Sequence, residues 1–272
     1  MGQTMLTKLD DNYFKKFREL IYNASGMTFT EINRPILDSR IADLLRGHGN
    51  ITVDEYYKVV SRDTDELNTL LDSVTTNLTS FFRNLTQLNS FRDEVLDDII
   101  KTRPTHRLKV WSAGCSTGEE PYTLAMILSE KLGPGWNVEI VASDISFSVL
   151  MKASQGFYQT NRITGIPDDL LKKYFIKSGD GYQVCDKLKK MIRFDYHNLK
   201  NDSGMRDFDV VFCRNVIIYF DQAAQENVIQ NIYRCMNKHS YLFLGHSESL
   251  LGMKTPFEFV KFGSSCLYMK KE

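Results

Sequence analysis

A short apolar strand that stops at a glycine-rich turn and passes at once into a helix constrains this chain more than any other feature. The run is Trp111-Ser-Ala-Gly-Cys-Ser-Thr-Gly-Glu-Glu-Pro-Tyr122. Leu108 to Trp111 read as the strand, Gly114 and Gly118 supply backbone freedom, and Pro121 suits the first turn of a helix carrying Leu124, Ala125, Ile127 and Leu128. Glycines let a ligand come close to the backbone, so a small-molecule pocket is expected here.

The pattern around this turn changes character along the chain. Before it, apolar residues recur at helical spacing: Phe14, Phe17 and Ile21; Ile36, Leu37, Ile41, Leu44 and Leu45; Leu67, Leu70, Leu71 and Val74. A further short helix is predicted from Val53 to Val60, and Gly47-His48-Gly49 ends the helix before it. Arg103-Pro104 breaks another helix near Lys101. From Leu108 onward strands alternate with helices, which predicts an α/β, doubly wound, mostly parallel sheet. The expected strands are Leu108 to Trp111, Val138 to Ser143, Met191 to Phe194, Val210 to Cys213 and Tyr241 to Leu244, with a terminal hairpin from Phe257 to Phe262 and Ser265 to Met269. Between Phe157 and Leu188 a short helix, Asp168 to Phe175, and a hairpin turning at Ser178-Gly-Asp-Gly181 interrupt the alternation and read as an inserted β-subdomain. The domains expected are therefore 1–85 helical, 86–104 a linker helix, and 105–272 the α/β domain with the insert at about 157–188.

Composition narrows the function classes. Lys plus Arg and Asp plus Glu number 34 each, so a broad basic footprint for nucleic acid is missing. Five scattered cysteines lack the paired spacing of zinc or redox sites, so reduced thiols and no metal are expected. No apolar run approaches the roughly 20 residues that span a bilayer, and the amino terminus lacks a signal-peptide core; a cytoplasmic address without membrane insertion is the expectation.

In a doubly wound sheet the ligand lies beyond the carboxyl ends of the strands. Asp144 follows the second strand, where a carboxylate can accept from both ribose hydroxyls of an adenosine-containing cofactor; capping the next helix is its alternative use. The turn is not a phosphate loop, because Glu119 stands after Gly118 where such a loop needs Lys. Glu119 and Glu120 at a helix start repel phosphates and suit a ligand with hydroxyl and cationic groups, which points to S-adenosylmethionine. Gly114-Cys-Ser116-Thr-Gly118 also matches the nucleophile elbow of serine hydrolases, with Asp209 and His246 as partners, although only helices precede it and no oxyanion loop lies upstream. Asn215 and Tyr219, after the strand ending at Cys213, emerge at the same edge, as do Asn198 and Leu199. Tyr219 could stack near the reacting group or fill a core. The segment Thr76 to Arg83 reads on spacing alone as a helix end.

Together, Asn77-Leu-Thr-Ser-Phe-Phe-Arg83, Ala113-Gly-Cys-Ser-Thr-Gly-Glu-Glu-Pro-Tyr122, Cys213-Arg-Asn-Val216 and Gly245-His-Ser-Glu248 resemble the CheR family of chemotaxis receptor methyltransferases. The resemblance implies a Rossmann-like S-adenosylmethionine-dependent methyltransferase domain with a small inserted β-subdomain, preceded by an all-helical domain. It implies methyl transfer to glutamate side chains on the cytoplasmic helices of chemoreceptors, giving methyl esters and S-adenosylhomocysteine. Carried over by position, the cofactor contacts would be Asn77, Thr79, Arg83, Glu119, Asp144, Asn198, Leu199, Asn215 and Val216, with Arg83 and Tyr219 as candidates beside the methyl group. A basic second helix that meets the receptor would here offer Arg34, Arg40 and Arg46; Arg34 and Arg40 are expected to flank the apolar stripe and Arg46 to lie opposite it. Asp38 and Asp43 dilute that charge, so weak, salt-sensitive docking is expected. The short turn at Ser178 to Gly181 argues against tethering of a receptor peptide by the insert. A module that binds the cofactor without turnover is the competing function of another class.

Overall fold

The computed structural model describes residues 8–103, 105–263 and 265–272. The chain divides into two compact units, one running up to Thr76 and taking in Tyr219–Ala224, the other holding Asn77–Ile218 and Gln225–Glu272.

The first unit is helical: α1 (Asp11–Ser25), α2 (Arg34–Gly47), α3 (Val53–Val60) and α4 (Thr64–Val74). Local chemistry sets their ends. The Asp10 carboxylate accepts the Tyr13 N–H at 2.8 Å, Thr52 and Glu55 cap α3 reciprocally, and Asp63 accepts from Asp65 and Glu66. Phe14, Phe17, Ile21, Leu37, Ile41, Tyr56, Leu70 and Leu71 fill the interior. Ile36 departs from the expected stripe and is 47% exposed. Arg34 departs further, because its guanidinium is built into the unit. It donates to the Leu9 carbonyl at 2.8 Å, pairs with Asp11 at 2.8 Å and Glu31 at 3.2 Å, and lies over the Phe14 ring. Arg34, which periodicity placed at the flank of the stripe and the family resemblance made a docking cation, is thus a packing residue; Arg40 and Arg46 are exposed.

The second unit opens with the helical segment α5 (Leu85–Ser90), a π-helical turn Phe91–Val95, and α6 (Leu96–Thr102). Its Phe91, Val95, Leu96 and Ile99 are fully buried, and Phe91 meets Phe212 and Phe243 edge-on, so this helix packs on the sheet of its own unit. The expected break lies at Arg103, which caps α6; Pro104 falls outside the described residues. There follow β1 (Arg107–Ala113), α7 (Glu119–Lys131), β2 (Asn137–Asp144), α8 (Phe147–Gln155), β3 (Phe157–Gln159), α9 (Asp168–Tyr174), β4 (Phe175–Ser178), β5 (Gly181–Val184), α10 (Asp186–Lys189), β6 (Ile192–Tyr196), β7 (Phe208–Cys213), α11 (Gln222–Cys235), β8 (Met236–Leu244), β9 (Glu258–Phe262) and β10 (Ser265–Lys270).

Seven strands form one sheet in the order β6-β2-β1-β7-β8-β10-β9. The first five are parallel, and β10 runs antiparallel to both β8 and β9. The fold is the doubly wound α/β architecture of S-adenosylmethionine-dependent methyltransferases, with its topological switch between β1 and β7. β3, β5 and β4 make a separate three-stranded sheet, closed by the Ser178↔Gly181 turn. Phe175 opens β4 rather than ending α9.

Candidate functional site

Loops from five strand ends meet around the switch point. The turn after β1 is fixed first. Gly114 and Cys115 donate their N–H groups to the Ser143 carbonyl at 2.8 and 2.9 Å, which ties the turn to the end of β2. Asp144 continues that tie through its carboxylate: Oδ2 accepts the Ser116 N–H at 2.8 Å and Oδ1 the Ser146 N–H at 3.0 Å. The α8 cap is Ser146, not Asp144, so the capping alternative for Asp144 does not hold. Gly114 is required here twice over. Its φ is +79°, and a Cβ would stand 2.5 Å from Val216 Cγ2, so only glycine lets the loop after β7 close on the turn. Gly118 has φ +93°, and a Cβ there would meet Ala153 Cβ and the Tyr158 hydroxyl at 2.9 Å.

The loop after β7 is held by a single carboxylate. Glu248 Oε2 accepts from Asn215 N–H at 2.7 Å and Gly245 N–H at 2.6 Å, while Oε1 accepts from Val216 at 2.8 Å and Ile218 at 3.2 Å. Charge-assisted bonds of this kind hold Asn215 in the left-handed region at φ +60°. Arg214 points the other way, into the unit. It is 7% exposed, reaches Glu120 Oε2 at 3.2 Å and donates to the Arg83 carbonyl at 2.5 Å; burial pulls its pKa down, opposed by Glu120. Ser112 completes the Glu120 carboxylate at 2.7 Å.

The segment before the sheet closes the arrangement. The Asn77 carbonyl accepts the Ser116 hydroxyl at 3.3 Å, and Phe82 N–H donates to Thr123 on α7 at 3.2 Å. Thr79 is half-buried in the same stretch, and the exposed Arg83 donates to the Leu78 carbonyl at 3.0 Å. Asn198 lies in the loop after β6, joined to the site through His197, whose N–H donates to the Asp144 carbonyl at 3.0 Å; Leu199 beside it is buried. The structure therefore brings together Asn77, Arg83, Glu119, Asp144, Asn198, Asn215 and Val216 at one sheet edge. Tyr219 is grouped with the helical unit, where its carbonyl accepts the Thr28 N–H at 2.8 Å.

Glu119 is 0% exposed. Its carboxylate accepts from the Thr117 hydroxyl at 2.7 Å and from Arg162, which also donates to Thr117 at 3.1 Å. Arg162 comes from the inserted subdomain, on a short 3-10 turn Thr160–Arg162 after β3. Nothing local in the sequence marks it. Glu248 and Arg214 do lie inside the recognised motifs, yet each neighbours a more conspicuous residue, His246 or Asn215.

The hydrolase elbow does not assemble. Asp209 is at the opening end of β7, bound to Lys109 N–H, Asn237 and Arg103, whereas Ser116 follows the closing end of the parallel strand β1. Burial also pushes the Cys115 and Cys213 thiols up, leaving them protonated and unsuited to nucleophilic work.

The donor set fits an adenosine-bearing cation better than a phosphate. A glycine-bounded turn without a basic residue, the Asp144 carboxylate and two acids at the start of α7 meet at the switch point. The family comparisons agree with this geometry: residues 77–266 match the S-adenosylmethionine-binding domain of CheR methyltransferases, and residues 12–75 match the all-alpha domain of the same proteins. The chain belongs to the CheR family. Chemotaxis protein methyltransferase 2 of Vibrio cholerae is 34% identical over 99% of this chain and 96% of its own. The chemotaxis protein methyltransferase of Borreliella burgdorferi is 36% identical over 87% of each. Among solved structures, the N-methyltransferase NodS of Bradyrhizobium japonicum, in complex with S-adenosylhomocysteine, aligns with a TM-score of 0.40 at 14% identity, covering 68% of this chain and 87% of that one. This CheR chain is accordingly an S-adenosylmethionine-dependent methyltransferase of chemotaxis. No helix among its described residues is long and apolar enough to cross a membrane.

Proposed function

We propose that this CheR protein methylates glutamate side-chain carboxylates on the cytoplasmic helices of chemoreceptors, acting in the cytoplasm as a protein-glutamate O-methyltransferase. The observation that carries the reading is how the acids of the site are used. Glu119, Glu120, Asp144 and Glu248 all serve as acceptors for backbone N–H, hydroxyl or guanidinium groups of the protein. An amine or alcohol acceptor would need a general base to take its proton, and these carboxylates are committed elsewhere. A glutamate, with a reference pKa of about 4.3, arrives already ionised.

Bound S-adenosylmethionine supplies a methyl group already activated by its sulfonium. The residues proposed to hold it are Asn77, Thr79, Arg83, Glu119, Asp144, Asn198, Leu199, Asn215 and Val216. Asp144 accepts from ribose hydroxyls; Glu119 takes the cationic end; the Glu248-held loop sets Asn215 and Val216 against the glycine turn. Arg83 is the exposed cation at this edge and the candidate to steer an incoming carboxylate. Alignment is the main work left to the protein, and good alignment can supply roughly 7–11 kcal/mol. On α2, Arg40 and Arg46 are the exposed cations proposed to meet an acidic receptor helix.

Incubation with methyl-labelled cofactor and a receptor cytoplasmic fragment should place base-labile label in the receptor, released as methanol. Label that resists base, or none in the receptor, refutes the glutamate assignment.

A further inference from the structure

The assignment of Glu119 to the cofactor meets a physical obstacle: the carboxylate has no exposed surface. A ligand atom can reach it only if something covering it leaves. Thr117 belongs to the glycine turn itself and is fixed by chain connectivity two residues away. Tyr158, the other insert residue at this turn, is 4% exposed and donates to the Thr117 carbonyl at 2.7 Å, so it is held as well. Arg162 differs. Its side chain is 39% exposed, so the guanidinium has water to rotate into once another cation takes its place, and it is the cation paired with Glu119.

Charge balance gives the same answer. A buried carboxylate keeps a counter-ion, because an unpaired charge out of water is costly. A ligand bearing an ammonium brings its own. We infer that Arg162 is an exchangeable counter-ion of the cofactor site: it neutralises Glu119 in the free protein and is displaced by the cofactor's ammonium, which frees the Thr160–Arg162 turn of the inserted β-subdomain. The inference rests on the placement of Glu119 at the cationic end of the cofactor. Its consequence is that the subdomain reports whether the site is filled, since Arg162 ties the end of the turn to Glu119 whereas Thr160 is held within the insert by the Asp180 carbonyl.

Three ligands separate the possibilities: S-adenosylhomocysteine, which carries the ammonium and the carboxylate; its deaminated analogue, which keeps the carboxylate alone; and 5′-methylthioadenosine, which lacks both. Their affinities are measured by calorimetry on the full chain, for the wild type and for Arg162→Ala, Arg162→Gln and Glu119→Gln. Removing the competing guanidinium should tighten S-adenosylhomocysteine several-fold and leave methylthioadenosine unchanged. Glu119→Gln should erase most of the preference for the ammonium-bearing ligand. Amide hydrogen exchange at Asn161 and Arg162 should speed up when S-adenosylhomocysteine binds, while that of Thr160, held by the Asp180 carbonyl, should stay as it is. Weakening of S-adenosylhomocysteine by Arg162→Ala and Arg162→Gln would overturn the inference: with methylthioadenosine weakened equally, Arg162 is a support of the turn, and with methylthioadenosine unaffected, it is a partner of the ligand's carboxylate. Slower exchange with ligand would overturn it too, by showing a clamp that closes. A Glu119→Gln preference equal to that of the wild type would remove Glu119 from the ammonium, and with it the exchange. Failure of the wild type to bind any of the three ligands would instead refute the cofactor reading itself. Should Arg162→Ala not fold, Arg162→Gln and the exchange measurement still decide.

Discussion

Two pairs of carboxylates crowd the same sheet edge, and they are held in opposite ways. Asp144 and Glu248 accept from backbone N–H groups: Ser116 and Ser146 for the first; Gly245, Asn215, Val216 and Ile218 for the second. Glu119 and Glu120, adjacent at the start of α7, are held by side chains, Arg162 and Thr117 for one, Arg214 and Ser112 for the other. A carboxylate bonded to backbone can shift only by moving a loop, so the first pair defines the shape of the pocket. A carboxylate bonded to a guanidinium can change partner by a rotamer change. Within the second pair burial decides: the Arg214 side chain is 4% exposed and stays, whereas that of Arg162 is 39% exposed and can leave.

The backbone-held pair should therefore give the largest effects. Glu248→Ala strands four N–H donors at once. At about 1 kcal/mol or more for each donor left without an acceptor, discounted for the half-buried position, a loss of roughly 3 kcal/mol is expected, read from urea denaturation. The same variant should lose cofactor binding, because Asn215 no longer has the acceptor that keeps it left-handed. Glu248→Gln keeps the shape but replaces one acceptor oxygen with a donor, so it should fall between. A Glu248→Ala protein of unchanged stability would show that the loop is held elsewhere and would erase the distinction between the two pairs.

Asp144→Ala comes next. Two backbone bonds disappear rather than four, so the protein should stay folded. Affinity for S-adenosylhomocysteine should fall by at least tenfold and up to about a hundredfold, as expected for a charge-assisted bond worth about 1.5–3 kcal/mol. Unchanged affinity would end the ribose assignment while leaving the turn geometry intact.

The same contrast between buried and exposed partners separates the arginines of α2. Arg34→Ala removes a guanidinium that pairs with Asp11, Glu31 and the Leu9 carbonyl and covers the Phe14 ring, so a clear loss of melting temperature is expected. Arg46→Ala removes an exposed pair with Asp43 and should cost at most about 0.5 kcal/mol. Receptor binding should respond in reverse order: Arg40→Ala and Arg46→Ala weaken it at low salt and matter little at high salt. If Arg46→Ala destabilises the fold as much as Arg34→Ala, burial is not what sorts these residues.

The sheet was largely legible because apolar runs of four to six residues, separated by turn chemistry, have few other uses in a covered parallel sheet. Where strands ran longer than expected, polar residues hid them: β8 begins at Met236, through Asn237, Lys238 and His239, and a register shift between Phe208 and Val210 absorbs the left-handed His239. The glycine turn and Asp144 could be placed because one follows a strand directly and the other closes one. Arg162, Arg214 and Glu248 could not be assigned their roles, since each meets its partner across 43, 94 and 33 residues, respectively. Periodicity describes which way a residue faces, and only the assembled sheet brings such partners together. Arg34 shows the limit plainly, because a long side chain at the margin of an apolar stripe can fold inward onto Phe14 as readily as outward to water.

The smallest expected effect tests whether the backbone-held side is as rigid as its bonds suggest. His197 sits at the end of β6, near Trp111 at 5.8 Å between ring centroids, with its N–H on the Asp144 carbonyl. Burial lowers its pKa below the usual 6.5, opposed by Asp195 and Asp202. The folded protein thus binds this proton less readily than the unfolded chain. The stability linked to His197 is fully present above pH 6.5 and is lost as the pH falls through the lower folded value. Wild-type protein should lose melting temperature between about pH 7.5 and 5 more steeply than His197→Gln, whose neutral side chain has no proton to take up. Protonation here also places a positive charge beside the loop that Asp144 anchors, so S-adenosylhomocysteine affinity should fall over the same pH range in the wild type and less in the variant. Parallel pH profiles for the two proteins would mean that the end of β6 opens to water easily, and that Asp144 holds the turn against a looser neighbour than its hydrogen bonds imply.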